Sequence, residues 1–401
     1  MIENRIRESL QGRAEAVETS SDAWDGILRG LRRRRARARL QQAGISASVL
    51  ALFAGALIWS WSIFLDRSEV EPADVGTAPA SVDPRVADVI DVGRYPAGIA
   101  AGDGSAWVSI AGAGECKGEI VRLGLRNGEA VETARIPFEG WPGDLAVGLG
   151  AVWAEGFRCA DGGDQHGGVL RIDPVSDAVV GFIPTGPGGF VSDVAVGEGA
   201  VWVTRTVRGS SGEVLRIDPE TGSIQGRIPI SGDPRDVVVA EGSVWILTIV
   251  GDEDLSSLEV LRIDPDIEAV VDRVPDALGL GVGEGAVWVP VWLTENEIGL
   301  QVLDVGTLEV EETFRGDFIG FSGDHGTLGS FPVGEGGAWL LHRPVETEPV
   351  DLVRVTLGGR GVDATVSPSG TDWGIDAALD PSTDSLWLAR FEDAVVRVEL
   401  R

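Results

Sequence analysis

From residue 85 onward the chain alternates short apolar–polar segments with Gly, Asp and Pro punctuation, and the rhythm repeats. Alternation with a period of two marks half-buried strands, and the punctuation marks tight turns between them. One segment recurs with tryptophan at a fixed place: Ser-Ala-Trp107-Val, Ala-Val-Trp153-Ala, Ala-Val-Trp202-Val, Ser-Val-Trp245-Ile, Ala-Val-Trp288-Val, Gly-Ala-Trp339-Leu and Ser-Leu-Trp387-Leu. Successive tryptophans lie 46, 49, 43, 43, 51 and 48 residues apart. A strand-built period of roughly 40–50 residues is the mark of a propeller. Seven copies therefore predict an all-β, seven-bladed β-propeller of four-stranded blades over residues 85–401. The tryptophans read as packing, a large flat side chain filling the gap between twisted sheets, rather than as an aromatic ligand array.

Each unit can be written out as four strands. Pro142-Gly-Asp144-Leu-Ala-Val and Pro234-Arg-Asp236-Val-Val-Val begin the innermost strand, A. A Gly-Glu-Gly-Ala type of turn leads into the tryptophan strand, B. After a variable loop comes strand C, as in Val-Leu-Arg171-Ile-Asp173-Pro174, Val-Leu-Arg216-Ile-Asp218-Pro219 and Val-Leu-Arg262-Ile-Asp264-Pro265. Strand D follows a turn, as over 224–230. Arg122, Arg171, Arg216, Arg262, Arg354 and Arg397, with Gln301 in the fifth unit, recur too regularly for one active site and read as inter-blade hydrogen-bonding groups. The seventh unit stops at a strand C over 394–400, whereas residues 85–92 match a strand D. The N-terminal strand is thus expected to complete blade seven and close the ring, which removes unpaired sheet edges.

Ahead of the repeats the pattern changes. Trp24, Ile27, Leu28 and Leu31 form the i, i+3, i+4, i+7 stripe of an amphipathic helix behind a Ser21-Asp22 cap. Residues 43–65 are 23 positions without a charge, with Trp59 and Trp61 near the far end. About 20 apolar residues suffice to cross a bilayer, and tryptophan favours its interface. Seven arginines between Arg29 and Arg39 precede the run, and Asp66, Glu69, Glu71 and Asp74 follow it. The positive-inside rule then predicts a cytoplasmic arm (1–42), an uncleaved signal anchor (43–65), a linker (66–84) and an extracytoplasmic propeller. The arm grips anionic lipid or docks a cytoplasmic partner. Its layout resembles the short cytosolic arm of actinobacterial single-pass regulators of the anti-sigma type, without their His-x3-Cys-x2-Cys zinc motif.

Charge narrows the partners. The whole chain carries −30, but residues 1–42 hold ten Arg against six Asp and Glu, leaving 23 basic and 57 acidic groups, −34, beyond them. Such a surface repels phosphates, so nucleic acid is excluded as a partner of the propeller. Lys117 is the single lysine among 33 basic residues, which reads as the codon usage of a GC-rich bacterial genome.

The phrases P-x-D-hydrophobic-x-V-G-x-G-x-V-W-V and V-x-R-I-D-P-x-T-G resemble the repeats of seven-bladed propellers related to streptogramin (virginiamycin B) lyase and other YVTN-type bacterial propellers. The resemblance spans about 85–401. It implies the fold, and it implies as one activity a metal-assisted elimination that opens a lactone using histidine and glutamate. Those lyase repeats read Trp-Phe-Thr-Glu where this chain has Trp-Val-Thr, Trp-Ile-Leu or Trp-Leu-Leu, and no histidine here falls on a matching lyase position.

Strand order puts the D-to-A and B-to-C connections on one face of the ring. The B-to-C loops (111–118, 155–167, 206–212, 250–257, 292–299 and 342–349) are long, so that face is the expected site. Cys116 and Cys159 occupy equivalent loops of adjacent blades, and outside the cell they are expected to form a disulfide. Asp144, Asp193 and Asp236 each precede their tryptophan by nine residues, and Asp376 approximates that place in blade seven. They either accept backbone amides where strand A begins or form a carboxylate ring that attracts a cation. Asp161, Asp164 and His166, and Asp252 with Asp254, are acidic loops without EF-hand spacing. His325, His342 and Asp324 are the candidates for catalysis, without a nucleophile motif beside them. No cofactor is implied beyond a candidate divalent cation such as calcium. The expected function is a binding, sensor or scaffold domain for a small-molecule, peptide or protein ligand; the alternative is an extracytoplasmic metal-assisted lyase or hydrolase.

Overall fold

Seven antiparallel sheets, each threaded A-B-C-D from the inside outward, make up the computed structural model. It describes residues 84–112, 116–159, 165–207, 212–250, 258–294, 297–316, 318–319, 329–334, 336–342, 351–358, 361–366, 376–390 and 393–400. The expected arm and membrane span, and all but the last linker residue, lie outside these. Among the described residues no helix is long and apolar enough to cross a membrane.

The tryptophan of strand B sets the core of every blade. All seven indoles are fully enclosed, none more than 1% exposed. Across the ladder, Trp107, Trp153, Trp202, Trp245 and Trp339 face Arg122, Arg171, Arg216, Arg262 and Arg354. Each guanidinium lies over its indole, at 4.8 Å for Arg122 and up to 5.8 Å for Arg354, within cation–π range. Most of these arginines then reach the next blade's C-to-D turn. Arg122 donates to Pro174 O at 2.8 Å, Arg171 to Glu220 O at 3.3 Å, Arg262 to Val305 O at 3.1 Å and Arg397 to Gly128 O at 2.8 Å. The inter-blade role expected of them is seen at these four and, through the Glu268 carboxylate, at Arg216, while Arg354 donates to Asp363 of its own blade. One assignment is corrected: in blade five Trp288 faces Val302, while Gln301 pairs with Val289, because the strand runs one residue out of step with the expected alignment.

Ring closure is a strand. Arg85–Asp91 pairs antiparallel with Ala394–Glu399, from Arg85↔Glu399 to Asp91↔Ala394. Buried Arg397 donates through Nε to Asp88 at 2.6 Å, locking the two termini of the propeller together. In blades one to five the A-to-B turns are two-residue hairpins with consecutive left-handed residues, such as Glu198 (φ 48°) and Gly199 (φ 70°), the twist-matched type that favours glycine second.

Two parts depart from the regular repeat. Strand B of blade two, Ala151–Cys159, stays paired with Gln165–Asp173 as far as Cys159↔Gln165, so much of the expected 155–167 loop is ladder. Blade five has only Gly281–Gly283 as strand A, and blade six has Phe318–Ile319 and Val333–Gly334 in two pieces. The glycine spacing around Gly279, Gly281 and Gly283 supplies few side chains to hold a pleat. There Leu280 bridges Ser330 in parallel, and Phe331 N–H donates to Leu280 O at 3.0 Å.

Candidate functional site

The seven innermost segments surround the ring axis, and each has an equivalent position near the B-to-C end. Reading across the tryptophan ladders, that position is Gly98, Asp144, Asp193, Asp236, Gly279, Ser330 and Asp376. In blades one, three and four the register slips immediately before it, at Pro96/Gly98, Val191/Asp193 and Pro234/Asp236, and in blade two across it, at Pro142/Leu145. A β-bulge bends a strand and re-aims the next side chain. Here it accompanies Asp144, Asp193 and Asp236; Asp376 is instead the first residue of an unshifted ladder. Four blades thus bring Asp144, Asp193, Asp236 and Asp376 to one cavity of about 300 Å³, whose deeper wall is Ala and Val, including Ala146, Val196, Ala195 and Val239.

The four carboxylates are held differently. Asp193 accepts from its neighbour's Val194 N–H at 2.6 Å and, on the next blade, from Val237 N–H at 2.7 Å. Asp376 repeats this with Ala377 N–H and, across the closure, Ile99 N–H, both at 2.7 Å. These two are inter-blade clips, as the amide-binding expectation had it. Asp236 reaches past blade five to the Ser330 amide, and its Oδ2 takes no hydrogen bond and is shut off from solvent. No described donor reaches Asp144; its Oδ1 leans over Gly98, where an added Cβ would stand 2.9 Å away. Glycine at blade one is what leaves room for it.

A fifth carboxylate, Glu155, joins from strand B of blade two and lies over Gly143. Burial is the main force on the ring. It pushes Asp144 and Asp193 well above the ordinary carboxylate range, with repulsion from Asp193 and from Asp236, respectively, next in weight. Asp236 rises to about 6, held back by the Ser330 amide and then by Arg235. Asp376 rises to about 7, held back by the amides of Ile99 and Ala377. Protein encloses these groups, yet their residues keep some accessible surface because the channel admits water. Enclosure sets the direction; channel water tempers the size.

Cys116 and Cys159 form the expected disulfide, bridging blades one and two at the same end of the ring. His342 ends strand B of blade six, half-buried, its ring 5.2 Å from Phe318. Its proposed companions His325 and Asp324 lie outside the described residues, as do Asp161, Asp164, Asp252 and Asp254. His166 falls in strand C of blade two, opposite Arg158. Among the described residues, no three acidic, His or Cys groups converge tightly enough to hold a metal ion. Glu155 and the Gly98–Gly279–Ser330 part of the ring were not expected from sequence.

No protein-family model matches the chain, and no curated protein matches it. Solved structures do. A chain in the crystal structure of a mitotic checkpoint complex is similar over 82% of this chain and 98% of its own, with 10% identity and a TM-score of 0.57. A chain of the hydrazine synthase of Kuenenia stuttgartiensis is similar over 76% and 95%, with 13% identity and a TM-score of 0.51. At such identities the likeness shows the β-propeller fold alone.

Proposed function

We propose that this protein is a ligand-binding module, a β-propeller tethered outside the cell by residues 43–65, which engages its ligand on the face carrying the channel mouth. The observation that carries the reading is the convergence of Asp144, Asp193, Asp236 and Asp376, from four separate blades, on one cavity. Polar groups gathered at a concave, otherwise apolar site are what binding clefts share. The disulfide on the same face is compatible with an oxidising compartment, and the charge step across 43–65 supports the orientation.

A face-specific label tests it. Tyr95 is 46% exposed just before strand Pro96–Gly102 at the mouth end, whereas Val175 is 91% exposed on a C-to-D turn at the other end. Full-length protein in detergent, carrying Tyr95→Cys or Val175→Cys capped with a maleimide polymer, is screened by ligand-observed NMR against small amines, acids, sugars and short peptides. Binding blocked by the Tyr95 label and spared by the Val175 label supports the reading; the reverse, or no binder in any class, overturns it. The tether is tested separately: alkaline extraction should leave the protein in the membrane pellet.

A further inference from the structure

The channel mouth is unevenly supplied with donors, and that unevenness identifies what fits it. Asp193 and Asp376 each accept two backbone amides. Asp144 has no described donor, whereas Asp236 takes the Ser330 amide and turns its other oxygen into the protein, away from solvent. Enclosed carboxylate oxygens without partners are costly, so native proteins leave them chiefly where something else completes them. Of the four carboxylates that line the cavity, Asp144 on blade two is thus the one with no described donor, beside a fully bonded Asp193.

Three ligand chemistries can be weighed against this. A divalent metal needs several oxygens around one point at 2.3–2.6 Å, and no described trio converges that closely. An anion is repelled by the ring. A cation carrying N–H groups supplies both charge and donors, and can bridge carboxylates spaced too widely for a metal. What the rest of the ligand must be follows from the wall. Beyond the ring the cavity is lined by Ala100, Ala146, Val147, Ala195, Val196 and Val239, with no charged group to meet a second ammonium. One cationic head and a short apolar body fit; a dication does not.

Resting on the binding reading above, we propose that the mouth binds a small primary ammonium on an alkyl stem, with Asp144 accepting its N–H groups, the rest of the ring adding negative charge and the stem lying on the Ala/Val wall. Asp193 and Asp376 remain clips. Gly98 is part of the site, since a side chain there would displace the Asp144 carboxyl.

The test uses the full-length protein in detergent at pH 8 with n-butylammonium, methylammonium, tetramethylammonium, calcium and butyrate as probes, followed by calorimetry. n-Butylammonium should bind saturably, more tightly than methylammonium, which lacks the stem, and more tightly than tetramethylammonium, which lacks N–H donors. Asp144→Asn should weaken it at least about tenfold, the scale of one lost charge-assisted hydrogen bond, and Asp236→Asn, which removes charge but no acceptor, should weaken it less. Ala195→Leu, which fills the wall without touching charge, should weaken n-butylammonium and spare methylammonium, so the result does not hang on one variant folding. Calcium binding in preference to n-butylammonium, or unchanged affinity in Asp144→Asn, overturns the proposal. If butyrate or another non-cationic probe binds at this face while amines do not, the ammonium assignment fails and the binding reading survives; if nothing binds there, both fail.

Discussion

Replacing Asp236 by asparagine should stabilise the propeller, and the size of the gain follows from the enclosed charge. Asp236 rises from an ordinary 3.8 to about 6. At about 1.4 kcal/mol per pH unit, that amounts to roughly 3 kcal/mol of destabilisation once the group is ionised. Because the folded value is the higher one, the folded state holds the proton more tightly than the unfolded chain. The penalty is therefore fully present above about pH 6–7 and absent below about pH 4. Asparagine keeps an oxygen for the Ser330 amide and removes the charge. Channel water and repulsion shared with Asp193 reduce the effect of one change, so a gain of about 1–3 kcal/mol at pH 8 is expected. Urea midpoints of both proteins at pH 8 and pH 4.5 measure it: the asparagine variant should be the more stable at pH 8, with most of the difference gone at pH 4.5. Equal destabilisation at both values would refute the argument, for it would make Asp236 an ordinary structural acceptor. A stability gain paired with lost ligand affinity is the usual trade at a binding site.

Other consequences can be checked more briefly. The Cys116–Cys159 bridge spans 43 residues, so Cys116→Ser should cost roughly 4 kcal/mol by chain entropy, seen as a lower urea midpoint than wild type under oxidising conditions and none under reducing ones. Arg397→Met strands Asp88 and the Gly128 carbonyl at the ring seam and should cost about 3–5 kcal/mol. Adding Asp88→Leu to it should recover part of that loss in the same denaturation assay, since replacing both buried partners is milder than removing one.

Much of the fold was legible because one physical demand recurs: every gap between blades needs a flat, bulky filler, and Trp107 through Trp387 supply it at equivalent places. Closure by Arg85–Asp91 was legible for the same reason, since a sheet missing its outer strand must find one. The acidic ring was half legible. Asp144, Asp193 and Asp236 share an offset from tryptophan, whereas Asp376 sits two residues further off because its A-to-B turn is longer, with Asp380 pairing to Ser385. Glu155 left a signal that went unread: two residues after each tryptophan the chain has Ser109, Thr204, Leu247, Pro290, Leu341 and Ala389, and only blade two has a charge. Which carboxylates are clips and which lack donors was not legible at all, since it depends on bulges and on the neighbouring blade's amides. The interrupted inner strands of blades five and six were likewise hidden, because their course follows the Leu280–Ser330 contact between blades and not any local period.

Hydrogen exchange of the full-length protein, with and without n-butylammonium, examines the central claim most directly. Ligand should slow exchange in the innermost strands that carry the aspartates, Gly140–Gly148, Gly189–Gly197, Asp233–Ala240 and Asp376–Asp380, and leave the outer strands unchanged. Protection confined to the outer strands or to the C-to-D turns, or none at saturating amine, would contradict a binding site at the acidic mouth of the channel.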